Sequence, residues 1–163
     1  MVIKVFVKCA TVILSAIFLT ACDYVRSYDD AVLFFDKNNR ELSEIVLVLE
    51  NNPEVSHVYY SDYEFATRDP DITKSDVGKI WIDISARLDR LNVYSVVSFS
   101  GGRIVQYVEF YLKYPFGEKD EYFIVYDSYG RYVRWLGRQK DTIEIKELPE
   151  KSWYFVKRDL SAF

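Results

Sequence analysis

Four carboxylates crowd one short stretch of this 163-residue chain, and oxygen-rich stretches of this kind are where a hard cation can bind. They are Asp62, Glu64, Asp69 and Asp71, on either side of Pro70. The stretch lacks the regularly spaced acids, the central glycine and the final glutamate of a helix–loop–helix calcium site. A solvated acidic loop is the simpler interpretation, and a contact surface for a basic partner is compatible with it.

The single histidine, His57, falls in a stretch that predicts a strand, and no Cys, Ser or carboxylate stands at a spacing typical of a known site. One histidine alone does not make a metal site. Gly101 and Gly102 have predicted strands on both sides, whereas a phosphate-binding loop leads from a strand into a helix. The sequence therefore predicts no catalytic residue, no metal site and no cofactor.

The stretch 103–113 alternates between two side-chain faces, as a strand does. The face expected to lie against helices carries Ile104, Gln106, Val108, Phe110 and Leu112. The face expected to meet solvent carries Val105, Tyr107, Glu109, Tyr111 and Lys113. Tyrosine-rich faces suit protein contacts, because each ring offers a large area with few rotamers to order.

We predict that Tyr107, Glu109 and Tyr111 contact a protein partner. Tyrosines on neighbouring predicted strands would extend this surface; they are Tyr122, Tyr126 and Tyr132. The alternatives are that the tyrosines pack against one another across strands and only stabilise the sheet, or that the C-terminal segment covers them.

The chain begins with a basic stretch, an apolar run and small residues that lead into Cys22, which is the layout of a secretory signal peptide. Leu19-Thr20-Ala21-Cys22 closely resembles the lipobox of bacterial lipoproteins. The resemblance implies that residues 1–21 are removed and that Cys22 carries lipid. An uncleaved membrane span is the rival interpretation, but only 14 residues separate Lys8 from Asp23, and about 20 apolar residues are needed.

The resemblance also predicts a location. A lipid on Cys22 anchors the protein in the bacterial cell envelope, facing the periplasm. In enterobacterial lipoproteins an Asp directly after the lipidated cysteine favours the inner membrane, and Asp23 stands there. We therefore expect residues 22–29 to form the lipidated cysteine and a short tether, and residues 30–163 to form a single domain.

The mature chain would keep 19 basic and 25 acidic side chains, a net charge of −6. A net acidic domain does not resemble a nucleic-acid binder. Because Cys9 leaves with the signal peptide and Cys22 is lipidated, the mature domain would hold no disulfide and would depend on its core. Its many aromatic residues, 17% of the whole chain, supply the material for one.

Hydrophobic periodicity predicts the fold. Residues 27–51 repeat apolar side chains every three or four positions, with Ser27 and Asp30 as a cap and a kink expected at 37–40. A second helix is expected from Thr73 to Asn92. The period is two in strands expected at 55–60, 94–100, 103–113, 122–127, 132–136, 142–146 and 152–157. The chain is therefore predicted to be α+β, with N-terminal helices packed on one face of an antiparallel β-meander.

These observations favour a lipid-anchored protein that acts by binding another protein. The concrete hypothesis is an immunity protein that neutralises an antibacterial toxin acting in the periplasm, with the acidic loop attracting a basic toxin. A structural or accessory lipoprotein of an envelope complex is one alternative. An enzyme that uses Asp or Glu carboxylates is another.

Overall fold

The computed structural model describes residues 24–59, 65–67, 74–101, 104–113 and 118–162, with the side chains of 56–59, 65–67, 74–77, 101 and 162 excepted. Within these ranges the chain forms α1 (Tyr28–Asn51), β1 (Val55–Tyr59), β2 (Phe65–Thr67), α2 (Lys74–Leu91), β3 (Val93–Gly101), β4 (Ile104–Leu112), β5 (Asp120–Asp127), α3 (Arg131–Leu136), β6 (Thr142–Glu147) and β7 (Trp153–Asp159). A 3₁₀ turn, Leu160–Ala162, follows β7. No helix in the described ranges is long and apolar enough to cross a membrane.

Helix α1 begins at the predicted cap. The Ser27 hydroxyl oxygen accepts a hydrogen bond from the backbone N–H of Asp30 at 3.2 Å, and the Asp30 carboxylate accepts one from the backbone N–H of Arg26 at 3.2 Å. The first bond satisfies one of the helix N–H groups that have no partner inside the helix, and the second ties the residue before the cap to the first turn. The predicted kink at 37–40 is wrong, because Asn38 Nδ2 donates to the carbonyl of Phe34 at 2.9 Å within one continuous helix.

The apolar sides of α1 and α2 pack on one face of the sheet, as predicted. The buried positions on the two helices include Phe35, Leu42, Ile45, Leu49, Trp81, Ile84 and Leu88, each at most 3% exposed. They meet a sheet face that includes Val96, Val108, Phe110, Ile124, Trp153 and Phe155. Trp153 and Phe155 share this face, as the alternation in the last strand predicts.

The sheet has the order β2-β1-β3-β4-β5-β7-β6, and each pair of neighbouring strands is antiparallel. The α+β fold class, with the N-terminal helices on one face of an antiparallel sheet, is therefore confirmed. Consecutive strands β3, β4 and β5 form a meander, while β7 inserts between β5 and β6. The short strand β2 lies between the residues of the predicted acidic loop and pairs with β1.

A bulge in β4 changes which side chains face the helices. Phe99 pairs with Tyr107 but the next residue, Ser100, pairs with Val105, so Gln106 is the extra residue. Val105 is consequently buried among the core residues, whereas Ile104 is 58% exposed and Gln106 is exposed. The predicted faces of these three residues are wrong, because the alternation of a strand reverses at a bulge.

Residues 132–136 form part of helix α3 rather than the predicted strand. Tyr132, Val133 and Trp135 favour strands by intrinsic preference, but that preference is weak against tertiary context. Leu136 is fully buried against the face of the sheet opposite α1 and α2, where it joins Phe123, Val125 and Val156. Helix α3 thus covers the sheet face that was expected to be open to solvent.

Candidate functional site

The Asp127 carboxylate holds the start of α3 in place. Its Oδ1 accepts the backbone N–H of Tyr129 at 3.1 Å, and its Oδ2 accepts the backbone N–H of Val133 at 3.0 Å. Asp127 is only 1% exposed, so these two bonds compensate for burying its charge. Gly130 lies between them with φ of 62°, a left-handed conformation that glycine adopts at little cost.

A buried carboxylate lies beneath α3. Glu109 points from the middle of β4 and is only 4% exposed. The Tyr111 hydroxyl donates to Glu109 Oε2 at 2.9 Å, and the Tyr132 hydroxyl of α3 donates to Glu109 Oε1 in a short hydrogen bond. Glu109 therefore connects the sheet to the helix that covers it.

Arg158 on β7 faces three carboxylates at once. Its guanidinium nitrogens lie 3.6 Å from Glu109, 3.8 Å from Glu121 and 3.8 Å from Asp141. Arg158 also contacts the Tyr132 hydroxyl oxygen at 3.4 Å. One cation among three acids leaves an excess of negative charge in a region where the side chains are mostly buried.

These surroundings shift the pKa values of the cluster. Burial raises the pKa of Glu109, while hydrogen bonds from Tyr132 and Tyr111 and the charge of Arg158 act in the opposite direction. Burial also raises the pKa of Glu121, and the charges of Glu109 and Asp141 add to that effect. The pKa values of both tyrosine hydroxyls are raised by burial and then by the Glu109 charge, so both stay protonated and act as donors.

Above this cluster the aromatic side chains stack in one row that crosses from the sheet onto α3. Phe99 stacks on Tyr107 with ring centroids 5.2 Å apart, Tyr107 stacks on Tyr132 at 3.6 Å, and Tyr132 stacks on Trp135 at 5.5 Å. The two end rings are solvent-accessible, with Phe99 40% and Trp135 51% exposed. The row thus has a fixed centre and two exposed ends.

A cleft of about 310 Å³ opens beside this row, and we call it the aromatic cleft. It is lined by Ile104, Gln106, Tyr107, Asp127, Tyr129, Arg131 and Tyr132. Ile104 is 58% and Tyr129 56% exposed. Exposed apolar side chains that gather around one concave site are typical of a binding surface rather than of isolated surface residues.

The structure separates the predicted partner-binding residues. Tyr107 lines the aromatic cleft, but Glu109 and Tyr111 lie beneath α3, where Glu109 is buried and Tyr111 is half-buried. The expectation that Glu109 faces solvent is wrong because α3 covers it. Tyr122 and Tyr126 do not extend the surface, since both pack in or against the core on the opposite face of the sheet.

The remaining predicted site residues cannot be placed. Cys22 and the four loop acids, Asp62, Glu64, Asp69 and Asp71, lie outside the described residues. His57 belongs to β1, where it pairs with Val97 of β3. Among the described residues, no group of three or more His, Cys, Asp or Glu is arranged to hold a metal ion.

Sequence reasoning missed the residues that α3 contributes, above all Arg131 and Trp135. One signal was present in the chain. Arg131 and Arg134 are three residues apart, a spacing that places two side chains on one side of a helix. Arg158 had no such signal, because its partners Glu109, Glu121 and Asp141 are distant in sequence.

Comparison with known proteins identifies no relative. No protein family, no curated protein and no solved structure matches this chain. The function of the protein must therefore be inferred from its sequence and from the geometry of the aromatic cleft.

Proposed function

We propose that this protein is a lipid-anchored protein of the bacterial cell envelope that binds another protein at the aromatic cleft. The observation that carries the proposal is the cleft itself, where exposed Ile104 and Tyr129 lie beside a stack of rings that ends in exposed Trp135. Aromatic side chains in a preorganised site lose little conformational entropy on binding, which is why they dominate protein interfaces.

The buried cluster under α3 supports this proposal by making the surface rigid. Glu109 accepts hydrogen bonds from the sheet and from α3, and Asp127 holds the start of that helix. A short helix would otherwise be marginal by itself. Binding residues on a fixed scaffold lose less entropy when the partner arrives, because they are already ordered.

The position of the cleft suits a protein anchored at Cys22. Arg26, four residues after the expected lipid, pairs with Glu118 at 2.9 Å, just before β5 begins. The cleft residue Asp127 ends that eight-residue strand, roughly 24 Å away at ~3.4 Å per residue. The cleft would consequently open away from the membrane, towards proteins in the periplasm.

Within this class, we propose neutralisation of a toxin that acts in the periplasm as the specific role. An accessory lipoprotein of an envelope complex would use the same cleft for a permanent partner. An enzyme is the weaker proposal. Glu109 has the raised pKa of a candidate acid, but both of its oxygens accept tyrosine hydrogen bonds and the residue is 4% exposed.

The test is co-expression with the product of the gene directly upstream, exported to the periplasm of a susceptible bacterium. We expect growth to be restored by this protein and a one-to-one complex to be purified. Trp135→Ala and Ile104→Ser should both abolish protection, because each removes an exposed apolar side chain at the cleft. Leu47→Ser is the matched control, since Leu47 on α1 is also 58% exposed.

The outcomes separate the alternatives. A stable complex without protection would favour the accessory role, and neither complex nor protection would refute the toxin proposal. If Leu47→Ser abolishes protection as completely as the two cleft variants do, the aromatic cleft is not the binding site. Cys22→Ala tests the anchor separately: it should remove fatty-acid labelling and release the protein from membranes, and unchanged labelling would refute lipidation at Cys22.

A further inference from the structure

We infer that the segment received by the aromatic cleft is acidic, a stretch of protein that places carboxylates beside an aromatic or aliphatic side chain. The inference rests on the protein-binding function proposed above and assigns the chemistry of the partner's contact surface. It differs from the polarity suggested by the acidic loop, which would attract a basic region of a partner.

Helix α3, which contributes Arg131 and Tyr132 to the cleft lining, carries arginines that form no ion pair within the described part of the chain. Helix α3 and the turn after it carry Arg131, Arg134, Arg138 and Lys140, and the segment 128–140 contains no acidic residue. All four side chains are exposed. None of them forms an ion pair with a carboxylate in the described part of the chain, although Arg131 lines the cleft directly.

Arginines elsewhere in the protein behave differently. Eight arginine side chains are described, and the five that lie outside α3 and its following turn each form at least one ion pair; they are Arg26, Arg40, Arg87, Arg90 and Arg158. The three without a carboxylate partner among the described residues all belong to α3 and that turn. The mature chain would carry more acidic than basic side chains. The described acids that pair with an arginine nevertheless do so outside α3 and that turn.

The acids that line the cleft and the adjoining groove form no ion pair with these arginines. Asp127 lines the cleft, but its two oxygens accept backbone hydrogen bonds at the start of α3. Glu147 and Glu150 line an adjoining groove, which also includes Tyr129 and Gly130. Neither glutamate lines the aromatic cleft. An incoming carboxylate would therefore meet Arg131 in the cleft, with Arg134 one turn further along α3, without displacing an ion-pair partner among the described residues.

Guanidinium groups next to exposed aromatic rings suit a mixed acidic and apolar ligand. Arginine binds carboxylates through paired N–H donors, and an apolar side chain of the partner can contact Trp135 or Ile104. The net charge of the whole mature chain would repel an acidic partner, so attraction is confined to this site. Such a local attraction fixes the orientation of the partner more than it raises overall affinity.

Anionic lipid headgroups share the negative charge of this ligand, but they are disfavoured by position. The cleft lies at the end of β5 that is remote from the Arg26–Glu118 pair and hence from the expected lipid on Cys22. A membrane-binding surface would be expected close to that pair. We therefore commit to a protein segment and treat lipid as an outcome of the test.

The experiment is selection of a random peptide library on the full-length protein held in discs of uncharged lipid. Selection is run on the unchanged protein and on two double variants. Arg131→Glu/Arg134→Glu, called the cleft reversal, reverses two exposed arginines of α3, of which Arg131 lines the cleft. Lys37→Glu/Lys79→Glu, the control reversal, reverses two exposed lysines on the helices of the opposite face. Vesicles that contain phosphatidylglycerol are the parallel probe for lipid.

We expect the enriched peptides to be acidic and to contain an aromatic or aliphatic residue. Their binding should weaken by about tenfold or more in the cleft reversal, fall with added salt, and change little in the control reversal. Neutral or basic peptides whose binding is lost in Trp135→Ala would overturn the acidic partner and leave the protein-binding function standing. If no enriched peptide depends on Trp135 for binding, both the acidic partner and the protein-binding function are refuted. If vesicles bind and their binding requires Arg131 and Arg134, the ligand is anionic lipid and not a protein segment.

Discussion

Phe155 and Phe123 lie on neighbouring strands and are both fully buried, yet they point to opposite faces of the sheet. Phe155 lies in the apolar cluster under α1 and packs against Tyr28 with ring centroids 6.3 Å apart. Phe123 stacks on Tyr111 at 5.4 Å and lies 4.7 Å beneath the Arg158 guanidinium. One face of the sheet is thus an apolar core, and the other combines a small apolar cluster with buried charge.

The difference shows how the protein divides stability from recognition. The helical face buries apolar area, and that burial is the main favourable contribution to folding. Part of the interior on the α3 face consists of Glu109, Arg158 and two tyrosine hydroxyls. These polar groups add little net stability, but their hydrogen bonds are satisfied in only one packing of α3 on the sheet. A surface that must hold Tyr107, Tyr132 and Trp135 in register benefits from that restriction.

The largest expected effect is loss of a ring from the helical core. Phe155→Ala should lower the free energy of unfolding by ~3–5 kcal/mol, because it leaves a cavity in a closely packed region. Phe123→Ala should cost less, about 3 kcal/mol, since Tyr111 and Arg158 beside it can relax into the space. Urea denaturation of both variants measures the difference, and a larger cost for Phe123 would contradict the division between the faces.

A smaller loss is expected when the cation of the α3 face is removed. Arg158→Ala leaves Glu109, Glu121 and Asp141 close together without their shared guanidinium, and we expect a cost of roughly 2–4 kcal/mol. The cost should shrink in acid, where the carboxylates take up protons. Denaturation at neutral pH and near pH 4 checks this, with Arg40→Ala, at an exposed ion pair on α1, as a control expected to change little.

The smallest expected effect concerns the pH dependence of stability. Because the pKa of Glu109 is raised in the folded protein, the folded state binds this proton more tightly than the unfolded chain does. The free energy of unfolding should therefore fall as the pH rises from the usual glutamate value towards the folded-state pKa of Glu109, and stay level above it.

Glu109→Gln tests this effect, since it should remove the Glu109 share of that fall and flatten the profile. The comparison is urea denaturation across pH 4–8 for the unchanged protein and for two variants. Glu50→Gln, which alters an exposed glutamate on α1, should leave the profile nearly unchanged. An identical slope in the unchanged protein and in Glu109→Gln would show that Glu109 ionises alike in the folded and unfolded states.

Local rules predicted the helical half of the protein well. The Ser27 cap, the apolar stripe of α1 and the buried positions of α2 depend on contacts three or four residues apart, which the sequence displays directly. The same reasoning predicted the antiparallel sheet and placed Trp153 and Phe155 in the core. The predicted kink at the polar residues 37–40 was wrong, because Asn38 bonds to the helix backbone without ending the helix.

The candidate site was predictable only in part. Tyr107 was identified because strand alternation placed it away from the helices. Ile104 was assigned to the wrong face, since a bulge at Gln106 is fixed by pairing with β3 and leaves no clear sign in β4 alone. Trp135 was assigned to a strand, since its local preference gave no hint of the Asp127 bonds that start α3.

By itself, the amino-acid sequence determined the class of fold, the boundaries of α1 and α2, and the expectation of a lipid on Cys22, because each depends on neighbouring residues. The tertiary structure decided that Glu109 is buried and that Trp135 and Ile104 lie near one cleft. The contacts responsible join side chains of β4, α3 and β7 that lie as many as 49 residues apart in the sequence, from Glu109 to Arg158. Only the closing of α3 over the sheet, driven by burial of Leu136 and held by Asp127, brings them together.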